Sequence, residues 1–296
     1  MTAAAALYVG RFAPSPTGTL HLGSLIAAVA SYLDAKAVGG RWLLRIEDLD
    51  PPREVAGSAE AIIASLLAHG LHWDGEILWQ SERTACYEAA LAQLAGRGQV
   101  FHCNCSRARL AELGGRYDGH CRHRPPGAMD ACAIRLIADD VTIAFEDALQ
   151  GPQRQRMNRD VGDFIIRRRD GIFAYQLAVV VDDAAQGITH IVRGADLLPS
   201  TARQIYLQGL LQLPSPQYAH IPLLVNKLGQ KLSKQNLAPP LDDRHPGGNL
   251  RAALAFLGQP APPSDITQPG ELLSWATQCW QLTAVPRSPL IIEPAP

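Results

Sequence analysis

The chain has 296 residues, of which 47% are hydrophobic, and its 27 Lys and Arg nearly balance 28 Asp and Glu. This length and composition allow a sizeable buried core and predict about two domains. Because the net charge is near zero, any polyanion partner must be held by a local patch rather than by the whole surface. The sequence offers no run of about 18 apolar residues that would span a membrane, and its start lacks the basic region of a secretion signal. We therefore expect a cytoplasmic protein.

Strand and helix patterns alternate over the first hundred residues. The predicted elements are strands at 7–12, 42–47, 77–79 and 100–102, and helices at 22–38, 54–69 and 83–94. This βαβ order predicts a parallel, nucleotide-binding sheet of the Rossmann-like α/β class. Ligands of such sheets gather at the carboxyl ends of the strands.

The pattern breaks after Cys103 into loops rich in Gly, Pro and Arg, with one clear strand candidate at 133–137. Beyond this insertion the sequence predicts strands at 163–167, 175–181 and 188–193, a helix that Ser200 caps, and two short helices near 249–257 and 270–280. We therefore expect two halves of a catalytic domain, 1–102 and 161–240, separated by an insertion at 103–160. A short helical region at 241–296 follows.

Two short motifs, far apart in the sequence, carry the chemistry. The first, residues 14–24, puts His21, Gly23 and Ser24 at a strand-to-helix turn, where unpaired N–H groups and the positive end of the helix dipole favour phosphate. The second, residues 231–235, contains Lys231, Ser233 and Lys234. Lysines on such a loop can meet the charge that builds on a phosphate during displacement. Together the motifs predict a nucleotide-activating site.

Three of the six cysteines cluster, which indicates a metal site rather than a disulfide framework. Cys103, Cys105 and Cys121 supply three thiolates, one fewer than the four ligands of a usual structural zinc site. The candidates for the fourth ligand are Tyr117, His102, His120 and His123. Chemistry alone favours a histidine, because a tyrosine must lose a proton with a pKa of about 10 before it binds a cation strongly.

Charged residues at predicted strand ends indicate a small polar substrate. Arg11 and Arg193 each end a strand, where a guanidinium can bind a carboxylate through two hydrogen bonds. The run 45–53 holds three carboxylates and two arginines, a composition suited to an amine, a ribose or magnesium. The basic stretch 154–169 is a weak indication of RNA binding.

Several motifs occur in the order found in the catalytic domain of class I glutamyl-tRNA synthetases, which the chain resembles over about residues 7–240. These motifs lie at 11–18, 21–23, 45–48, 179–183, 187–190, 193–196 and 231–234. Within that family the chain is similar to the paralogues that lack the anticodon-binding domain and act on queuosine in tRNA(Asp).

The resemblance implies a ligase that activates L-glutamate with ATP, accompanied by Mg²⁺, and transfers it to the cyclopentene-diol of queuosine in tRNA(Asp). It also implies one structural Zn²⁺ held by Cys103, Cys105, Tyr117 and Cys121, and no membrane or obligate protein partner. His21 and Lys234 are the implied catalytic residues. The implied glutamate-binding residues are Arg11, Phe12, Ala13, Pro14, Ser15, Glu47, Tyr175 and Arg193. The implied ATP-binding residues are His21, Gly23, Ser24, Lys231, Ser233 and Lys234.

The sequence departs from the family pattern at two positions. Ser24 replaces the last histidine of the first motif, and Gln235 replaces the last serine of the second. Two other functions stay open: a minimal glutamyl-tRNA synthetase that charges the tRNA 3′ end, and a non-catalytic tRNA- or nucleotide-binding paralogue. The lysine pair disfavours the second, because a protein that only binds has no need of groups that stabilise a transition state.

Overall fold

The computed structural model describes residues 7–114, 116–127, 132–225, 239–288 and 290–292. Its strands are β1 (Val9–Phe12), β2 (Arg41–Ile46), β3 (Leu78–Trp79), β4 (Val100–Cys103), β5 (Ala133–Leu136), β6 (Thr142–Asp147), β7 (Gly151–Arg156), β8 (Phe164–Arg167), β9 (His190–Gly194), β10 (Gln217–Ile221), β11 (Leu223–Val225) and β12 (Leu290–Ile292). Its helices are α1 (Leu22–Lys36), α2 (Ser58–Ala68), α3 (Thr84–Gly96), α4 (Arg107–Glu112), α5 (His120–His123), α6 (Tyr175–Ala185), α7 (Leu198–Leu211), α8 (Pro246–Phe256) and α9 (Pro269–Cys279).

The central layer consists of two groups of mainly parallel strands that meet between β1 and β9. Strand β2 pairs in parallel with both β1 and β3, and β10 pairs in parallel with both β9 and β6. The two groups are linked where the Thr189 N–H donates to the Val9 carbonyl oxygen at 2.9 Å. The predicted parallel α/β architecture is confirmed, and the carboxyl ends of β1, β2 and β9 come together.

Helix α1 forms the centre of the main hydrophobic core. Its apolar residues recur at helical spacing, and Leu25, Ile26, Val29 and Leu33 are fully buried. The helix packs against β1, β2 and β9 on one side and against α8 and α9 on the other. A second core lies among α3, α6 and α7, beside the antiparallel sheet β4-β5-β8. The first core therefore packs on β1, β2 and β9, and the second reaches the same layer where α7 contacts β6.

Two predictions in the second half of the chain are wrong. Residues 175–181, predicted as a strand, form most of α6. Their run of β-branched residues favours a strand locally, but both Val179 and Val180 are buried against neighbouring elements in the helical conformation. Ser200 does not cap α7, which begins at Leu198 with Pro199 in its first turn. The Ser200 hydroxyl instead accepts a hydrogen bond from Gln176 at 3.0 Å.

The region that the sequence predicted to be mostly loops contains a β-hairpin. Strands β6 and β7 pair antiparallel, and β6 joins β10 in the main layer. The hairpin is hard to predict from the sequence because β7 consists of Gly, Pro, Gln and Arg and therefore has no apolar alternation. Helix α2 also begins later than predicted, since Gly57 adopts a left-handed φ of 76° just before Ser58.

The other predicted elements are confirmed to within a few residues, including the two short helices near the end of the chain, which are α8 and α9. Within the described residues, none of the helices is long and apolar enough to cross a membrane.

Candidate active site

A cleft of about 750 Å³ opens at the carboxyl ends of β1, β2 and β9. It brings together every predicted site residue of the glutamate and ATP sets that the structure describes. These residues are Arg11, Phe12, Ala13, Pro14, Ser15, His21, Gly23, Ser24, Glu47, Tyr175 and Arg193. Lys231, Ser233 and Lys234 lie outside the described residues. The two segments that supply most of the set, β1 with its following loop and the start of α1, are adjacent in sequence, whereas Tyr175 and Arg193 come from the second half.

One wall of the cleft is the N-terminus of α1. His21 is the N-cap, and its Nδ1 accepts a hydrogen bond from the Ser24 N–H at 3.2 Å. Gly23 and Ser24 form the first turn, where backbone N–H groups and the helix dipole create a positive potential. The predicted strand-to-helix turn is therefore present, and an anionic phosphate can approach it from the cleft.

A buried network of opposite charges lies beneath the cleft, and its members Arg11 and Glu47 reach the cleft lining. Asp183, on α6, accepts hydrogen bonds from Arg11 Nε at 3.1 Å and from Arg45 Nη1 at 2.8 Å. Arg45 also donates to Gln186 at 2.8 Å and to the Glu47 carboxylate at 3.2 Å. These contacts hold Arg11 and Glu47 against a rigid base, because the partners lie on strands and a helix.

Burial and charge affect the two carboxylates of this network differently. Burial raises the pKa of Glu47 above its ordinary value, although Arg45 and Arg11 oppose this effect. Burial also acts to raise the pKa of Asp183, but the guanidinium groups of Arg11 and Arg45 outweigh it, so that the pKa is lowered. Asp183 is therefore a fixed anion, while Glu47 gains from the arrival of a further cation.

Arg193 and Tyr175 form the opposite side of the cleft. Arg193 is almost fully buried, and its Nη1 donates to the Tyr175 hydroxyl at 3.3 Å. Burial raises the pKa of Tyr175, which therefore stays protonated. The guanidiniums of Arg11 and Arg193 and the Glu47 carboxylate all line the cleft, so it offers both signs of charge to a ligand. This arrangement suits a small ligand that carries both carboxylate and ammonium groups.

The predicted metal-binding side chains also come together, away from this cleft. The sulfurs of Cys103, Cys105 and Cys121 lie within 4.8 Å of one another, and the Cys105 and Cys121 sulfurs are 3.4 Å apart. The Tyr117 hydroxyl lies 3.6 Å from the Cys103 sulfur and 3.5 Å from the Cys105 sulfur. Ligands on a tetrahedral zinc with bonds of about 2.3 Å are separated by about 3.8 Å, so the four side chains fit a metal ion.

The local electrostatics favour thiolate at one ligand of this group. Burial acts to raise the pKa of Cys103, but Arg135 and Tyr117 lower it to about 7. Burial raises the pKa of Tyr117, so tyrosine loses its proton only with help from a cation. Among the described His, Cys, Asp and Glu residues, the group able to share an ion consists of the three cysteines. The preference for a histidine on chemical grounds therefore finds no support in this geometry.

Sequence reasoning did not assign several residues that shape the cleft. Asp183 belongs to a motif that carried the resemblance, yet the predicted strand at 175–181 concealed its position on α6. His220 and Asp147, which lie behind Arg193, follow no recognisable motif. A polar residue between apolar residues of a strand, as His220 is between Ala219 and Ile221 in β10, is the one signal that could have identified such a group.

Comparisons with known proteins agree with this geometry. Residues 8–248 match the family model of tRNA synthetases class I (E and Q), catalytic domain. Proteins named Glutamyl-Q tRNA(Asp) synthetase are 54% identical in Thiobacillus denitrificans and 54% identical in Ectopseudomonas mendocina. The first match covers 97% of this chain and 98% of the relative, and the second covers 97% of each.

Solved structures show the same fold. The glutamate-tRNA synthetase of Elizabethkingia anophelis has a TM-score of 0.81 at 26% identity, over 95% of this chain and 67% of that one. A glutamate tRNA ligase of Elizabethkingia meningosepticum, in complex with its amino acid, has a TM-score of 0.80 at 26% identity, over 95% and 66% of the two chains. The chain belongs to the class I tRNA synthetases of the glutamate and glutamine type, and within them to the glutamyl-Q tRNA(Asp) synthetases.

Proposed function

We propose that the protein activates L-glutamate with ATP and transfers it to the queuosine of tRNA(Asp), forming glutamyl-queuosine. The observation that carries this proposal is the identity of 54% to relatives of that name over nearly the whole chain. The cleft supports it, because one site offers both a helix N-terminus for phosphate and a charged pocket for an amino acid.

The charged pocket suits glutamate in a definite orientation. We assign the α-ammonium to Glu47, whose buried carboxylate gains from a cation, and the carboxylates to Arg11 and Arg193. Tyr175 lies beside Arg193 and offers a hydroxyl to the same ligand. Phe12, Ala13, Pro14 and Ser15 form the adjoining wall.

ATP would lie along the start of α1, with its phosphates near His21, Gly23 and Ser24. A glutamate carboxylate oxygen attacks the α-phosphorus, the bond to the bridging oxygen breaks, and pyrophosphate leaves with that electron pair. We assign stabilisation of the charge on the phosphoryl group to Lys234, with Lys231 and Ser233 on the same loop and Mg²⁺ accompanying the nucleotide. A queuosine hydroxyl oxygen then attacks the activated carbonyl carbon and gives up its proton to solvent, the bond from that carbon to the phosphate oxygen breaks, and AMP leaves with the electron pair.

We assign Cys103, Cys105, Tyr117 and Cys121 as ligands of one structural Zn²⁺. The fit of three sulfurs and one hydroxyl to tetrahedral spacing supports this assignment. The ion would stabilise the insertion at 103–160, between the catalytic halves 1–102 and 161–240 and before the helical region 241–296. We expect the enzyme to act in the cytoplasm.

The deciding experiment uses labelled glutamate and tRNA whose 3′ end has been blocked by periodate. In the presence of ATP, we expect label to enter tRNA(Asp) from cells that make queuosine and not tRNA from cells that lack it. Charging of unblocked tRNA(Glu), with no label in blocked tRNA, would instead identify a minimal glutamyl-tRNA synthetase. Binding of tRNA without any glutamate transfer would identify a non-catalytic paralogue.

A further inference from the structure

We propose that His220 and Asp147 are positioning residues that hold the Arg193 guanidinium in the orientation that binds glutamate. The inference rests on the proposed function only in taking Arg193 as a ligand of the amino acid. Neither His220 nor Asp147 lines the cleft, so both act through Arg193.

The sheet register brings His220 to Arg193. The two residues are partners across the parallel strands β10 and β9, and Arg193 Nε donates to His220 Nε2 at 3.0 Å. The far Nη2 group donates to Thr201 at 2.9 Å and to Gln204 at 2.8 Å. Two edges of the guanidinium are thus held by buried partners. The Nη1 group, which meets Tyr175 in the cleft, is the part that faces a substrate.

The hydrogen bonds fix the tautomer of His220. A guanidinium only donates hydrogen bonds, so Nε2 must carry a lone pair and the ring proton must lie on Nδ1. That Nδ1 is 2.5 Å from the Asp147 Oδ2, which accepts the proton's hydrogen bond. Burial lowers the pKa of His220, and the Arg193 guanidinium lowers it further, although Asp147 opposes both effects. Because the pKa is lowered overall, the ring is neutral.

Asp147 is itself rigidly oriented. Its Oδ1 accepts hydrogen bonds from the backbone N–H groups of Leu149, Gln150 and His220 at 3.1, 2.9 and 3.1 Å. The chain of contacts therefore runs from the backbone through Asp147 and His220 to Arg193. The side chains of His220 and Asp147 are completely buried. The Thr201 hydroxyl also lies 3.2 Å from His220 Nε2. Arg193 Nε donates to His220, so removal of that acceptor leaves a buried donor unpaired.

Two substitutions of His220 separate orientation from packing. In His220→Gln the side-chain oxygen can replace Nε2 as acceptor, whereas in His220→Asn the shorter amide reaches toward Asp147 and leaves Arg193 Nε unpaired. The matched control is His69→Asn. His69 is also completely buried, but it contacts Ser65 and Asn249 between α2 and α8, away from the cleft.

The test measures glutamate affinity by calorimetry in the absence of ATP and tRNA, with thermal unfolding of each variant as a measure of folding. We expect His220→Asn to weaken binding about tenfold or more, corresponding to about 1.4 kcal/mol. His220→Gln should stay within about threefold of the wild-type affinity for glutamate. His69→Asn should lower thermal stability but leave the affinity for glutamate unchanged. Equal losses in both His220 variants, or no loss in either, would overturn the proposal.

A second measurement reads the tautomer in the wild-type protein itself. Nitrogen-15 NMR of histidine in the wild-type protein, with the His220 signals assigned from the His220→Gln spectrum, reports which ring nitrogen carries the proton. We expect a protonated Nδ1 and an unprotonated Nε2, and the reverse would overturn the proposal. If these results hold while the queuosine assay shows no transfer, the proposed function fails and the role of His220 stands.

Discussion

Glu47 illustrates how the buried charges of the cleft depend on a ligand. Its side chain is only 8% exposed, and its one ion pair in the described structure is to Arg45, which Asp183 and Gln186 also hold. The carboxylate can therefore bind an ammonium group without releasing Arg45. Burial raises the pKa of Glu47 although Arg45 and Arg11 oppose it, so a further cation would stabilise the negative charge of this carboxylate.

We expect Glu47→Gln to weaken glutamate activation about 100-fold, because loss of one partner of a buried charge pair costs about 2–5 kcal/mol. Glutamate-dependent exchange of pyrophosphate into ATP measures the effect, which should fall mainly on the KM for glutamate. The control is Glu60→Gln, since Glu60 lies exposed on α2. An unchanged KM in Glu47→Gln would remove Glu47 from the binding site.

The lysine of the second motif provides a separate test at the level of single residues. Lys234→Ala should reduce adenylate formation about 100-fold, because removal of one group that stabilises transition-state charge has an effect of that order. Pyrophosphate exchange again provides the measurement. Lys36→Ala is a suitable control, since Lys36 pairs with Asp74 at 2.6 Å and does not line the cleft. Near-normal exchange in Lys234→Ala would contradict the assigned role.

The sequence reveals residues that meet ligands more readily than residues that support them. Arg11 and Arg193 could be predicted because a charged residue at a strand end is visible in the sequence alone. Their partners could not, because Asp183 and His220 meet them only through the packing of distant segments, 172 and 27 residues away. Pairing of this kind depends on tertiary structure, which local patterns do not report.

At the scale of elements, α6 shows why a local pattern can mislead. The valine run of α6 favours a strand, but the two aspartates that follow it, Asp182 and Asp183, contact two different parts of the structure. Asp182 accepts hydrogen bonds from Gln80 and Tyr87, both at 2.7 Å, while Asp183 binds the arginines of the cleft. Adjacent residues of a helix point about 100° apart, so one helix can join the α3 region to the active site.

The cysteine cluster leads to a prediction about the stability of helix α5 and the residues around it. Helix α5 has only four residues, and the small apolar group around Cys103, Tyr117 and Cys121 offers little independent stability. If the proposed zinc holds this segment together, its removal by a strong chelator should lower the melting temperature and raise amide exchange about 100-fold in residues 116–124, while α1 stays protected. Metal analysis and mass-spectrometric hydrogen exchange measure both effects.

Two cysteine substitutions refine this test. Cys121→Ser should lose the metal and show the same local loosening as the chelated protein. Cys279→Ser should retain it, because Cys279 lies on α9 and does not belong to the cluster. A chelator that leaves both thermal stability and amide exchange unchanged would show that the cysteines hold no structural ion.

For the molecule as a whole, helices α8 and α9 are part of the main hydrophobic core. The main hydrophobic cluster joins buried residues of α1, β2 and α2 to Leu254 of α8 and to Leu272 and Leu273 of α9. The Trp280 indole N–H donates to Asp34 at the end of α1 at 2.9 Å. Because elements from both ends of the chain share one core, they should gain and lose their structure together.

This shared core predicts the effect of shortening one buried side chain in α8. Leu254 is 1% exposed, so Leu254→Ala should lower the free energy of unfolding by about 2–5 kcal/mol, through lost burial and a remaining cavity. Leu67→Ala, at a position 44% exposed on α2, should cost less than about 1 kcal/mol. Urea unfolding, followed by tryptophan fluorescence and by far-UV circular dichroism, should give one transition for elements of both ends, shifted in Leu254→Ala. A separate early transition, with the core unaffected, would mean that α8 and α9 fold as an independent appendage.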